Sequence, residues 1–263
     1  MQRTANAHLR LQILDPAHLA FIVAVAEGNE RTETLDLRLD GVSVEPREVI
    51  SGHGTRIHAL EAGPGELTLD YAVTVTGQAE PLAVTERSLL TYLRPSRYCE
   101  SDSLGPTAVA EFGGLTGVEA LDAVSSWVGS HLAYVPGSSL PTDGAERTLL
   151  ARRGVCRDYA HLVIAFLRAL DIPARLVAVY APGLDPMDFH AVAEAYVDGA
   201  WHVVDATALA PRQSLVRIAT GRDAADTAFL STYRGAVTLE EIWVSAVVDE
   251  LPYDDVRQLV QLR

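Results

Sequence analysis

The chain contains no lysine: all 21 of its cationic side chains are arginine, set against 35 acidic ones, for a net charge of −14. An acidic surface of this kind argues against nonspecific nucleic-acid binding, which needs cations to neutralise phosphates. It also offers no lysine side-chain amine to a transfer reaction, so lysine-mediated self-cross-linking is excluded, although an acceptor on another molecule is not. Cysteine is scarce, with two residues, too few for a disulfide framework. Both thiols are therefore expected to be free, as in a reducing cytoplasm. No apolar run reaches the roughly eighteen residues of a membrane-spanning helix. The opening MQRTANAHLRLQILDPAHLAF has no continuous apolar segment ending in small residues, so no secretory signal is visible in it.

What is present is the composition of a globular protein, 48% hydrophobic and 21% charged over 263 residues, enough for one large domain or two modest ones. The first ninety residues read as strands. LRLQI, TLDLRLD and ELTLDYAVTVT alternate apolar and polar residues, which places one face on a core and the other in water. Turn chemistry separates them at Glu27-Gly28-Asn29, Asp40-Gly41, Gly52-His53-Gly54 and Gly63-Pro64-Gly65. This predicts a β-rich domain over residues 1–87, with His53 and His58 in structural roles, followed by a second domain over 88–263.

From about residue 90 the period becomes helical. Val118, Leu121, Val124, Trp127, Val128 and Leu132 make one stripe, and AERTLLARRG reads as a short helix ending at Gly154. Next comes GVCRDYAHLVIAFLRALDIPAR, where Ala160, Val163, Ile164, Leu167 and Leu170 share a helical face and Pro173 opposes continuation. RLVAVY reads as a strand, and FHAVAEAYVDGAWHVVDAT as a hairpin turning at Asp198-Gly199. SLVRIA and EIWVSAVVDE read as further strands, with GRDAADTAFL a loop and turn between them.

Cys156 stands at the mouth of its helix, where free N–H groups and the helix dipole favour a thiolate. Cys99, in the loop-like PSRYCES, has no such placement. A nucleophilic thiol needs a base held by a third group, and the hairpin supplies both. A two-residue turn at Asp198-Gly199 sets Val197 opposite Ala200, His190 opposite Thr207 and Asp205 opposite Val192. His190 and Asp205 are then diagonal neighbours on one face, about 7–8 Å apart at the backbone and closer at Cβ. A one-residue slip would separate them. His202, of opposite parity, points elsewhere.

The residues thus predict Cys156 as nucleophile, His190 as base and then acid, and Asp205 as the group that orients the histidine. The Cys156 N–H opens an oxyanion site. Tyr134, Trp127 and Gln213 are candidates for its second donor, with Tyr134 favoured because it lies just outside the helix stripe. Asp158 reads first as a helix first-turn acid and second as a cleft residue. His161 reads as a supporting or surface histidine, and Trp127 and Trp201 as core. Arg222 and Asp223, like Arg94 and Arg97, read as structural charges with cleft lining as the alternative. No Cys/His cluster completes a metal ligand set.

The blocks GVCRDYAHL, IPAR and FHAVAEAYVDGAWHVVDAT, with PSRYCESD, YVPGSS and GRDAADTAF, resemble the transglutaminase-like superfamily, in particular a bacterial branch with cysteine-protease-like members and a β-rich N-terminal region. The likeness covers roughly residues 88–235. It implies an α+β, papain-related fold with the nucleophile helix packed on an antiparallel sheet, and an acyl-thioester at Cys156. Water as the second nucleophile gives a peptidase, amidase or deamidase; an amine gives a transglutaminase or acyltransferase. A catalytically silent scaffold that binds a peptide or partner is the rival from another class. The expected substrate is a peptide, protein or small amide, with no cofactor, metal, membrane or nucleic acid. The loops VPGSSLPTDGA and APGLDPMD are expected to flank the cleft.

Overall fold

A computed structural model describes residues 1–81 and 83–263. The N-terminal half is built of β1 (Gln2–Ile13), β2 (Ala17–Phe21), β3 (Glu30–Leu39), β4 (Val42–Ser43), β5 (Arg47–Ile50), β6 (Arg56–Ala62) and β7 (Gly65–Thr76). The alternation seen in the sequence is realised strictly in β1, where every second residue is buried. Leu67, Leu69, Tyr71, Val73 and Val75 of β7 do the same, so the two strands pair with their apolar faces on one side.

The second half contains α1 (Glu86–Thr91), α2 (Gly105–Phe112), α3 (Gly117–His131), β8 (Ala133–Tyr134), α4 (Ala145–Ala151), β9 (Arg153–Gly154) and α5 (Cys156–Ala169). It continues with β10 (Ala174–Tyr180), β11 (Phe189–Val197), β12 (Ala200–Val204), β13 (Val216–Gly221), α6 (Ala224–Thr227), β14 (Leu230–Arg234) and β15 (Val237–Val248). The strands β12-β11-β10-β13 form an antiparallel sheet, with α5 packed against β10 and β11. This is the expected α+β arrangement of a helix on an antiparallel sheet.

Helix α5 departs from the one-stripe expectation. Residues 158–168 are all buried, because α2, α3 and α4 cover the side that faces away from the sheet. A helix sealed all round needs partners for its polar groups. Arg168 accordingly donates to the carbonyls of Ala174, Arg94 and Arg222, and to Ser96 Oγ.

The division at residues 88–263 is corrected by the end of the chain. β15 pairs along β1, and β14 pairs with β2, so residues 230–248 complete the sheets β15-β1-β7-β3-β4 and β14-β2-β6-β5 of the N-terminal half. Those sheets share a core with β10 and β13 through Tyr180, Val216, Ile218 and Ala219. Tyr180 also donates its hydroxyl to the carbonyl of Val23, 2.8 Å away.

Candidate active site

The hairpin has the register that its turn dictates. Asp198 and Gly199 both take positive φ (52° and 83°), and Val197 pairs with Ala200 through to Ala193 with Val204. Asp205 follows directly at the end of β12, and its Oδ2 lies 2.9 Å from His190 Nε2. Its other oxygen accepts from the Thr207 N–H (2.9 Å) and hydroxyl (2.6 Å), so both carboxylate oxygens are engaged. Burial opposes ionisation of Asp205, but His190 and Thr207 outweigh it and hold the carboxyl below its usual range.

His190 is the counterpart. Burial alone would lower its pKa, yet the Asp205 carboxylate and the Cys156 thiol lift it to about 10. With Nε2 committed to Asp205, the buried Nδ1 makes no hydrogen bond, and Cys156 lines the same cleft as the ring. Cys156 opens α5 at a partly exposed position. The three side chains expected from the sequence are therefore together: a thiol at a helix N-terminus, an imidazole beside it, and a carboxylate behind the imidazole.

The glycine of GVC has a steric reason. A Cβ on Gly154 would lie 2.6 Å from the Asp158 Cβ, inside any tolerated contact. Asp158 occupies that space because it closes the start of α5: its Oδ2 accepts the Val155 N–H (2.8 Å), the expected work of a first-turn acid. It is fully buried and also accepts from Ser139 and Arg157, so it does not line the cleft.

Tyr134 reaches the site through a short parallel pairing that the sequence did not signal, with β8 beside β9 and Tyr134 paired to Gly154. Its hydroxyl lies near Cys156; burial first, then the neighbouring Cys156, push its pKa to about 12. The other two donor candidates are elsewhere. Trp127 donates its indole N–H to Glu111 and stacks on His131, and Gln213 donates to Asp254.

A cleft of about 620 Å³ opens beside Cys156 and His190. Both loops expected there contribute, through Pro141 and Asp188, and apolar walls come from Leu176, Ile218, Phe189 and Phe229. The β-rich half supplies Ile22, a participation that nothing in its sequence indicated. Arg97 lines the cleft whereas Arg94 does not. Arg222 is corrected as a cleft residue: its guanidinium is turned onto Asp226, at 2.9 Å, and the neighbouring Ala224 and Ala225 line the cavity instead. Asp223 is structural, accepting from the Tyr98 and Ala225 N–H groups. His161 is fully buried rather than at the surface; it accepts the Ala224 N–H at Nε2 and stacks on Tyr98, tying α5 to the cleft-lining turn. Burial drives its pKa down to about 4.

The remaining histidines stand outside the site. His53 bonds Tyr92, His58 faces Glu48, and His202 pairs with Ala195 rather than with the His190 face. Cys99 is wholly buried, and desolvation raises its pKa well above a free thiol's. Among the described residues no three His, Cys, Asp or Glu side chains gather as a metal site, and no helix is long and apolar enough to cross a membrane.

A helix-borne thiol set on an antiparallel sheet that carries His and Asp defines a transglutaminase-like protein, and residues 107–206 match that superfamily. The chain belongs to the transglutaminase-like superfamily. It is similar to the crystal structure of "a Putative Cysteine Protease" from Cytophaga hutchinsonii, with 33% identity and a TM-score of 0.87, covering 96% of this chain and 92% of that one. An uncharacterized protein of Mycobacterium leprae is 30% identical over 135 residues, which are 47% of this chain and 48% of the relative. An uncharacterized protein of Mycobacterium tuberculosis is 40% identical over 75 residues, 27% of this chain and 24% of the relative. The chain thus spans about half the length of the first of these relatives and about a quarter of the second.

Proposed function

We propose that this protein is a cysteine-dependent acyl-transfer enzyme of papain-related architecture that hydrolyses a peptide or other amide bond through a thioester on Cys156. The observation that carries the reading is the His190–Asp205 contact, buried behind a thiol that opens a helix at the edge of a large cleft. His190 Nδ1 takes the thiol proton, and Cys156 Sγ attacks the acyl carbon. The oxyanion that forms meets two donors: the Cys156 N–H, one of the helix-opening amides without an intrahelical partner, and the Tyr134 hydroxyl. A phenol whose pKa is pushed to about 12 stays protonated at neutral pH and so remains a donor. His190 then passes its proton to the departing amine, and water, activated by the same imidazole, releases the acid.

Hydrolysis is favoured over amine transfer because the cleft is open to solvent and water is always at hand. The test is to treat the protein with a p-nitrophenyl ester and follow Cys156 by intact-mass and peptide mass spectrometry. An acyl adduct on Cys156 that turns over, and that does not form with His190→Ala, is the expected result. Ligand binding without any adduct would favour the binding-scaffold alternative and overturn the proposal.

A further inference from the structure

Of the residues that line the cleft, Asp188 is the one carboxylate. It makes no ion pair among the described residues; one oxygen accepts the Phe189 N–H at 2.7 Å, and the other has no protein partner. It stands two residues before His190, immediately ahead of β11. It shares the cleft lining with Cys156 and His190. It is exposed to solvent at the cleft mouth, so a ligand can reach it. The other charged lining groups are differently disposed. Arg157 is occupied by Asp158, Ser139 and the Leu140 carbonyl, and Arg97 lies over the Tyr98 ring.

The position of His190 decides which half of a substrate meets Asp188. The imidazole must hand its proton to the amine nitrogen, so the amine half of the amide lies on the His190 side of Cys156. By microscopic reversibility an incoming amine that attacks the thioester occupies the same place. We infer that Asp188 is a specificity determinant that selects substrates carrying a cationic group, an ammonium or guanidinium, on the amine half of the scissile amide. The inference rests on the acyl-transfer reading of Cys156.

The acyl-enzyme isolates this subsite. With Cys156 acylated from a p-nitrophenyl ester, an added amine attacks the thioester carbon, the C–S bond breaks, and the amine's proton passes through His190 to restore the thiol. Butylamine, 1,4-diaminobutane and 4-aminobutyrate, at equal free-base concentration, offer neutral, cationic and anionic tails. The ratio of amide to acid product is read by mass spectrometry. The cationic tail is expected to exceed the neutral one by about fivefold, the strength of a partly exposed ion pair. The ratio is expected to fall to near one with Asp188→Asn, to persist with Asp188→Glu, and to turn toward the anionic tail with Asp188→Arg. Equal partitioning in the wild type, a preference for the anionic tail, or a cationic preference that survives Asp188→Asn overturns the assignment while leaving the acylation chemistry standing. Absence of acylation overturns both.

Discussion

His190 Nε2 and Asp205 Oδ2 are 2.9 Å apart, with both side chains sealed from solvent at 0% and 2% exposure. In that setting the carboxylate fixes the ring through Nε2, and it keeps the imidazole charged far above its ordinary 6.5, to about 10. The charged imidazolium should therefore survive to alkaline pH, with the alkaline limb of kcat/KM near 10. The sign follows from the raised value: stability from the charged histidine is complete below 6.5 and is lost as pH climbs through about 10. Asp205→Asn removes the cause that lifts the pKa. It should lower kcat by about 10²–10⁴-fold and bring the limb down to or below the usual histidine range. An unchanged limb would show that Asp205 does not control His190.

Tyr134→Phe deletes only the hydroxyl near Cys156. Loss of one oxyanion donor should cut kcat by about 10²-fold and leave KM nearly as it was. A rise in KM with kcat intact would instead place Tyr134 in ground-state binding.

Gly154→Ala would set a methyl 2.6 Å from the Asp158 Cβ, and the Asp158 carboxylate is what closes the first turn of α5. Relief requires moving that turn, and with it Cys156. A destabilisation of about 1–3 kcal/mol is expected in denaturant unfolding, together with slower acylation of Cys156. Asp158→Ala keeps the clashing Cβ and removes the cap, so the double variant should be no more stable than Gly154→Ala alone.

Behind the sheet, Glu194 lies between Arg175 and Arg217 at 2.7 Å from each, with Arg175 stacked 3.9 Å over Trp201. Desolvation disfavours the Glu194 charge, yet the two guanidiniums hold its pKa at about 2. Glu194→Gln leaves them buried without a counter-charge and should cost about 3–5 kcal/mol, read as a lower denaturation midpoint. In the wild type this contribution is present above the ordinary 4.5 and is lost only as pH falls through about 2. A Gln variant as stable as the wild type would mean that the arginines find other partners.

The local chemistry of the chain placed more of the site than its long-range order did. Asp198-Gly199 fixed the hairpin register, and with it the meeting of His190 and Asp205. Period-two alternation marked β1, β3 and β7, and Gly154-Val155-Cys156 marked the start of α5. His161 and Arg222 were less legible, because one is decided by helices that cover α5 from outside and the other by a neighbour, Asp226, rather than by its nearness to the cleft.

The placement of Cys156, His190 and Asp205 is legible in the chain's local chemistry, since a helix start and a tight turn are set by residues a few positions apart. Long-range packing, by contrast, lays β8 beside β9 and pairs Tyr134 with Gly154, and it sets Ile22 and Phe229, more than 200 residues apart, in the wall of one cleft. It alone returned β14 and β15 to the N-terminal sheets. Turn and period signals act over one or two elements, whereas the pairing of distant segments depends on which apolar faces remain uncovered once those elements have formed.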